Sequence, residues 1–343
     1  MRPVVLLVCI AMVIALGGAR AAAQAVAKNP STPLALTYQG FNYVSYYNGA
    51  YENADSLPAL AATGANAAAL DIEYGIDVVH STVYADATYT DSLSALAATT
   101  TEATGRGLVV MIRPLIDFLD PAKIGTYGVG DWRSFYNPTD PGAFFASYKA
   151  MILSVAQVAQ ANGVAILCIG AELDQLAGPA YLSYWTDIII SVRDVFSGKL
   201  TYSANWDAAL SPWQGQHGLG AGTGDLATQV SFWSELDFIG IDCYAPLSDA
   251  VSPVLADLIA GWTQVPSDPT SLAVTGNQSL ISYFGNVASR VGEPLLFTEI
   301  GYESANVRRD SRPALRRTFT IRRCRQISTR LSSTPGSRTA ATC

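Results

Sequence analysis

The chain has 343 residues, half of them hydrophobic and only 14% charged, so it can bury a large core, and one barrel domain of about 250 residues fits better than two small domains. Its 21 basic and 28 acidic side chains leave a net charge of −7, which argues against nucleic acid as a partner, because phosphate binding needs clustered Lys and Arg. With only two histidines, and with no CxxC, HExxH, GxSxG or P-loop pattern, zinc proteases, nucleotide hydrolases and serine hydrolases lose their usual signals, and neither metal nor cofactor is expected.

In chain order, residues 1–25 have the three parts of a secretory signal: basic Met1-Arg2, an apolar core to Gly18, and a small-residue region ending at Ala25. The apolar core is shorter than the ~20 residues a spanning helix needs. Export is therefore expected, to a secreted or extracytoplasmic location, with no membrane association after cleavage. Strand-like runs follow at Tyr38–Val44, Ala65–Glu73, Leu108–Asp117, Val164–Asp174, Lys199–Trp206, Leu236–Tyr244 and Pro294–Tyr302. Between them lie alanine-rich helical stretches, Ser56–Thr63, Thr90–Thr104, Gly142–Ala161 and Ala180–Phe196, each ending near a glycine that can stop a helix. This alternation predicts an α/β fold with a parallel sheet, a TIM (β/α)8-type barrel over residues 36–306 with seven units legible and the eighth missing or replaced.

The composition changes where that eighth unit should begin. Residues 307–343 hold ten arginines, no lysine and one acid, Asp310, a balance of +9 against −16 for the preceding residues. Ser, Thr and Arg dominate and no apolar period survives, which reads as a disordered basic tail. A frameshift near codon 306 would also account for it. Strand alternation puts Gly170 and Cys168 on the barrel interior and Cys243 on the outer face, so no disulfide between the two cysteines is expected.

Two apolar strands end on a glutamate: Val164 to Glu172, and Pro294 to Glu299. In a parallel α/β protein the C-terminal lip of a strand is where chemistry is done. A strand-end acid taken alone is usually a solvated carboxylate, but two at corresponding positions of one barrel suit glycoside hydrolysis, which needs one carboxylic acid and one carboxylate. Arg113, on Met111-Ile-Arg-Pro114, could hold a carboxylate or a sugar hydroxyl, and an ion pair with Asp71, Glu73 or Asp117 is an equal alternative. Asn205 and Trp206 could offer a hydrogen bond and a stacking face, although Trp206 could equally pack beneath its loop. Trp132 is a candidate platform for a sugar ring.

The endings Ile-Gly-Ala-Glu172-Leu and Phe-Thr-Glu299-Ile-Gly-Tyr302, with Phe238-Ile-Gly-Ile-Asp242-Cys-Tyr244-Ala-Pro-Leu247, resemble the clan A retaining glycosidases. Asp131-Trp132-Arg133 followed by Phe144-Phe145-Ala-Ser-Tyr148 is most similar to glycoside hydrolase family 113, known for endo-β-1,4-mannanases. The resemblance, over Leu36–Ser304, implies an acid/base on Glu172 and a nucleophile on Glu299, acting on a β-linked polysaccharide such as mannan. Asp174 could help raise the Glu172 pKa, and the Tyr244 hydroxyl could hold Glu299. Ala171 stands where the clan often has Asn, and the eighth strand that usually bears a sugar-stacking Trp is absent. The alternative is a non-catalytic carbohydrate-binding or inactive protein on a truncated barrel.

Overall fold

The apolar strands are buried along nearly their whole length, one face toward the helices and the other toward a central axis. The computed structural model describes residues 37–52, 56–119, 133–209, 224–250 and 252–301. The expected signal (1–25), the basic tail (307–343), Trp132, His217 and Cys9, Cys324 and Cys343 lie outside the described residues.

In chain order the elements are β1 (Gly40–Ser45), α1 (Leu57–Ala62), β2 (Ala67–Asp77), β3 (Thr82–Tyr84), α2 (Leu93–Gly105), β4 (Val109–Asp117), α3 (Pro141–Ala161), β5 (Ile166–Ala171) and α4 (Leu182–Arg193). They continue as β6 (Lys199–Asn205), α5 (Leu226–Gln229), β7 (Phe238–Cys243), α6 (Leu255–Thr263), α7 (Pro269–Thr275), α8 (Leu280–Val291) and β8 (Leu295–Ile300). Seven strands run parallel in the order β1-β2-β4-β5-β6-β7-β8, a curled sheet that matches the seven expected units. The extra strand is β3, which pairs antiparallel with the end of β2, so that Gly75 lies opposite Tyr84. A side chain at Gly75 would meet the Tyr84 ring at 2.4 Å, and only glycine admits that contact.

Among the described residues the sheet remains open between β1 and β8. The two outer strands are tied by one side chain, Asn42 Nδ2 donating to the Thr298 carbonyl at 3.1 Å. Beside that opening, at the N-terminal ends of the strands, a small open cavity of about 40 Å³ is lined by Asn42, Ala69, Met111, Ile166 and Leu296 among others.

The sheet's outer face carries Leu70, Ile72, Val110, Ile112, Leu167, Tyr202, Ile239, Cys243 and Phe297 in one continuous core with the helices. The helix α3 is long and apolar enough to cross a membrane. Here it instead buries Phe144, Phe145, Tyr148, Ile152 and Val155 in that core beside Trp185 of α4. Asp140 caps its N-terminus by accepting from the Ala143 amide at 3.0 Å, satisfying one of the helix's orphan donors.

The inner face is graded. Ala69, Met111, Ile166, Cys168, Phe238 and Leu296 form a small apolar cluster at the foot. Above it, on the same strand parity, come Asp71, Arg113, Ser203 and Asp242, all buried. The cysteine phases hold: Cys168 belongs to the inner cluster and Cys243 to the outer core, and both are free.

Gly170 departs from simple alternation. Pairing of β5 with β6 passes from Cys168↔Thr201 to Ala171↔Ser203, three residues against two, and this bulge reverses the phase. A side chain at Gly170 would meet Trp185 at 2.9 Å and Tyr202 at 3.0 Å. Gly170 therefore faces the helices, not the barrel interior as period-two counting places it. The same irregularity occurs between β7 and β8, where pairing passes from Ile241↔Phe297 to Asp242↔Glu299.

Candidate active site

Each of the two glutamates thus follows an extra strand residue. A bulge bends its strand and re-aims what comes next. Glu172 goes further and adopts a left-handed backbone, φ 55°, a conformation that costs a non-glycine residue on the order of 1–3 kcal/mol. Two hydrogen bonds hold it there: the Glu172 amide donates to the Ser203 carbonyl at 2.7 Å, and the Leu173 amide donates to the Tyr202 hydroxyl at 2.8 Å.

Glu299 sits at the focus of a buried charge network. Arg113, fully buried, donates from Nε to Ser203 Oγ at 3.2 Å, from one terminal nitrogen to Asp71 Oδ2 at 3.2 Å and from the other to Asp242 Oδ2 at 2.6 Å. It also pairs with Glu299 Oε1. The Tyr244 hydroxyl donates to the other Glu299 oxygen, Oε2. Thr298, the bulged residue, donates its hydroxyl to Asp242 Oδ1 at 2.6 Å, which fixes that carboxylate against the guanidinium. Burying one cation among three carboxylates is tolerable only because nearly every polar atom has a partner.

The two glutamates respond oppositely. Burial works against the charged form of Glu299, yet the Arg113 guanidinium and the Tyr244 hydrogen bond hold its carboxyl below the ordinary range. Glu172 is buried too, and burial raises its pKa well above the ordinary value. Arg133 pulls against that shift while Asp242 and Glu299 add to it. The surroundings thus push Glu172 toward its protonated form and Glu299 toward its ionised form. The supporting acids are raised as well: burial takes Asp71 to about 7 against the pull of Arg113, and Asp242 to about 6.

The other expected site residues are placed as follows. Tyr244 is 49% exposed and meets Glu299 as expected. Arg113 takes the carboxylate option, with Asp71 as the expected partner and Asp242 and Glu299 as unexpected ones. Trp206 is only 5% exposed and lies in the outer core, so it does not present the stacking face considered for it. Asn205 donates to Ser134 Oγ at 2.8 Å and to Asp174 Oδ2 at 3.1 Å, which commits its amide to protein acceptors. His80 is a surface residue paired with Asp77 at 2.7 Å. Asp242, Arg133 and Ser134 carry no role in the sequence reading, although Asp242 and Arg133 stand within its motifs. A signal was there for Asp242, which interrupts the apolar strand Phe238–Cys243 with a charge, and a buried charge needs a partner. Among the described residues no group of three or more His, Cys, Asp or Glu is disposed to hold a metal ion.

The geometry thus places two strand-end glutamates and a buried charge network at the C-terminal lip of a parallel sheet. The profile described as Glycoside Hydrolase Family 113 covers residues 36–314. The chain belongs to glycoside hydrolase family 113. The family match runs past residue 306, where the composition changes, and bears out the resemblance seen in the motifs.

No curated protein matches the chain's sequence. Among solved structures, a GH113 β-mannanase from Alicyclobacillus acidocaldarius in complex with ManMIm aligns with a TM-score of 0.53 at 20% identity, over 75% of this chain and 68% of that one. A complex of a GH113 β-1,4-mannanase aligns with a TM-score of 0.46 at 20% identity, over 61% of this chain and 63% of that one. A β-mannanase from the blue mussel Mytilus edulis gives 0.36 at 13% identity, over 61% and 71%. The chain thus spans about two thirds of the length of these family structures. At such identities the likeness is one of fold, and the first alignment supports a TIM-barrel-like fold.

Proposed function

We propose that the protein is a retaining glycoside hydrolase of β-linked polysaccharide, with Glu299 as nucleophile and Glu172 as acid/base. The observation that carries this reading is the placement of two strand-end glutamates in one charge network, Glu299 held by Arg113 and Tyr244 and Glu172 facing Arg133 at 3.6 Å. In the first half-reaction a Glu299 oxygen attacks the anomeric carbon and the glycosidic bond breaks, while the Glu172 carboxyl gives its proton to the departing oxygen. In the second, the Glu172 carboxylate takes a proton from water as the water oxygen attacks the anomeric carbon, and the bond to Glu299 breaks. Arg113 and Tyr244 keep Glu299 ionised before attack and stabilise it again as a leaving group.

Mannan is the polymer of choice within that class, because the family 113 structures aligned with this chain are described as β-mannanases. The amino-terminal pattern of residues 1–25 supports export, where a polymeric substrate would be met. The test is hydrolysis of β-1,4-mannan followed by proton NMR, with a 2-deoxy-2-fluoro-β-mannosyl fluoride trap mapped by peptide mass. Retained anomeric configuration and a label on Glu299 are expected. Inverted product, or a label on another residue, would overturn the assignment. A wild type that binds mannan but does not turn it over, with a Glu299→Gln chain of equal affinity, would favour the carbohydrate-binding alternative.

A further inference from the structure

Arg133 opens a short 3-10 turn, Arg133–Phe135, that lies over the C-terminal ends of β4, β5 and β6. Its side chain is buried. One terminal nitrogen donates to Asp117 Oδ2, at the end of β4, at 3.2 Å. Nε lies 3.6 Å from Glu172 Oε2, close enough for charge to be felt but too far for a hydrogen bond. The neighbouring Ser134 accepts from Asn205 at 2.8 Å, and the same amide donates to Asp174, so the turn is fastened to β6 as well. The guanidinium is thus anchored from behind and presented to Glu172 from a rigid setting.

We propose that Arg133 is a positioning residue for Glu172, whose ionised form it stabilises for the second half-reaction. The inference rests on the reading of Glu172 as acid/base. The charged and titratable groups around that carboxyl are Arg133 from the turn, Arg113 from β4, Asp242 from β7, Glu299 from β8 and Tyr244 just past β7; Asp174 lies two residues further along its own segment. Arg113 divides its donors among Asp71, Asp242 and Glu299. Arg133 is the cation that weighs most on Glu172. After Glu172 has given its proton to the leaving group, it must remain a carboxylate long enough to take one from water. Without Arg133, burial and the nearby acids favour recapture of a proton, and hydrolysis of the glycosyl-enzyme slows.

The experiment compares the full-length wild type with Arg133→Met, Arg133→Gln and Arg133→Lys on 2,4-dinitrophenyl β-mannobioside, whose leaving group needs no proton. With β-1,4-mannan, whose leaving oxygen does need a proton, the alkaline limb of kcat/KM in the Met and Gln variants is expected to rise by about one pH unit, while the dinitrophenyl substrate reads the second half-reaction. A burst of dinitrophenolate should precede a steady rate lowered by about tenfold or more, and azide, which needs no base, should restore turnover as the β-glycosyl azide. Arg133→Lys, which keeps the charge, should recover part of both effects. Two neutral variants guard against one failing to fold, which a thermal transition reveals. A folded neutral variant with an unmoved limb and no burst would overturn the role and leave Arg133 structural. A Glu172→Gln enzyme that turns over like the wild type would instead remove the acid/base reading, and this inference with it.

Discussion

The ends of β5 and β8 start from the same ingredients, an apolar parallel strand, an extra residue out of register and then a glutamate, and their carboxyls are shifted in opposite directions. At β8 the glutamate meets donors at once: Arg113 on one oxygen and the Tyr244 hydroxyl on the other. At β5 the glutamate is turned by a left-handed backbone into a buried place where the nearest cation, Arg133, stays 3.6 Å away. Loss of solvent raises both, so it does not separate them. What separates them is whether hydrogen bonds to the charged form offset the loss of solvent. A chemistry that needs one acid and one base from two identical side chains can be built in this way, by neighbours alone.

The largest expected effect breaks the comparison at β8. Glu299→Gln should lower kcat by on the order of 10⁴-fold or more, since it removes the bond-forming group itself, while the cooperative thermal transition is kept; turnover within tenfold of wild type would contradict the assignment. Arg113→Met should be felt in stability as well as rate. Leaving Asp71, Asp242 and Glu299 buried without their cation should cost roughly 3–5 kcal/mol in denaturant unfolding, and an unfolding midpoint equal to wild type would show the network to be dispensable.

Tyr244→Phe sharpens the contrast without dismantling the fold. It removes one hydrogen bond to a charged group, about 1.5–3 kcal/mol, so kcat/KM should fall by roughly 10–100-fold. The acidic limb of its pH profile should rise, because Glu299 loses a partner that favours its ionised form. An unshifted limb would mean the hydroxyl does not hold the nucleophile.

Gly170→Ala tests the bulge before Glu172. The added methyl would press on Trp185 and Tyr202, and overpacking of this kind costs about 1–3 kcal/mol. Activity should fall beyond what the stability loss explains, as Glu172 is displaced. A variant of unchanged stability and rate would show that the phase reversal at Gly170 is not needed.

The smallest expected effect is a change of slope. Burial, against the pull of the Asn205 hydrogen bond, takes Asp174 from 3.8 to about 7. A carboxyl raised on folding contributes stability that is full below its unfolded pKa and is lost as pH rises through the folded one. Asp174→Asn should therefore flatten the decline of Tm between pH 4 and pH 8. Parallel curves for variant and wild type would contradict the shift.

Much of the fold was legible because parallel barrel strands announce themselves as apolar runs of fixed length between helical stretches. The seven strands and both glutamates were found that way. The two bulges were not, since counting by twos cannot register an extra residue, and Gly170 was therefore assigned to the wrong face. Trp206 ends a strand at the expected lip, but its orientation depends on the outer core it packs in, which no local pattern reveals. Asp242 stood inside a recognised motif without a role, because its partners Arg113 and Thr298 are 129 and 56 residues away in sequence. Arg133 was quoted only as part of a motif, and its approach to Glu172 depends on how the segment after β4 folds back.

The central claim is that the two glutamates titrate in opposite directions from the ordinary range. Carbon-13 NMR of protein labelled at the glutamate carboxyls, assigned with Glu172→Gln and Glu299→Gln, measures it directly. The account predicts that the Glu299 signal titrates below the usual carboxylate range and the Glu172 signal well above it, with the Glu172 midpoint falling in the Glu299→Gln protein as a neighbouring charge is lost. Two signals that titrate together at ordinary values would contradict it.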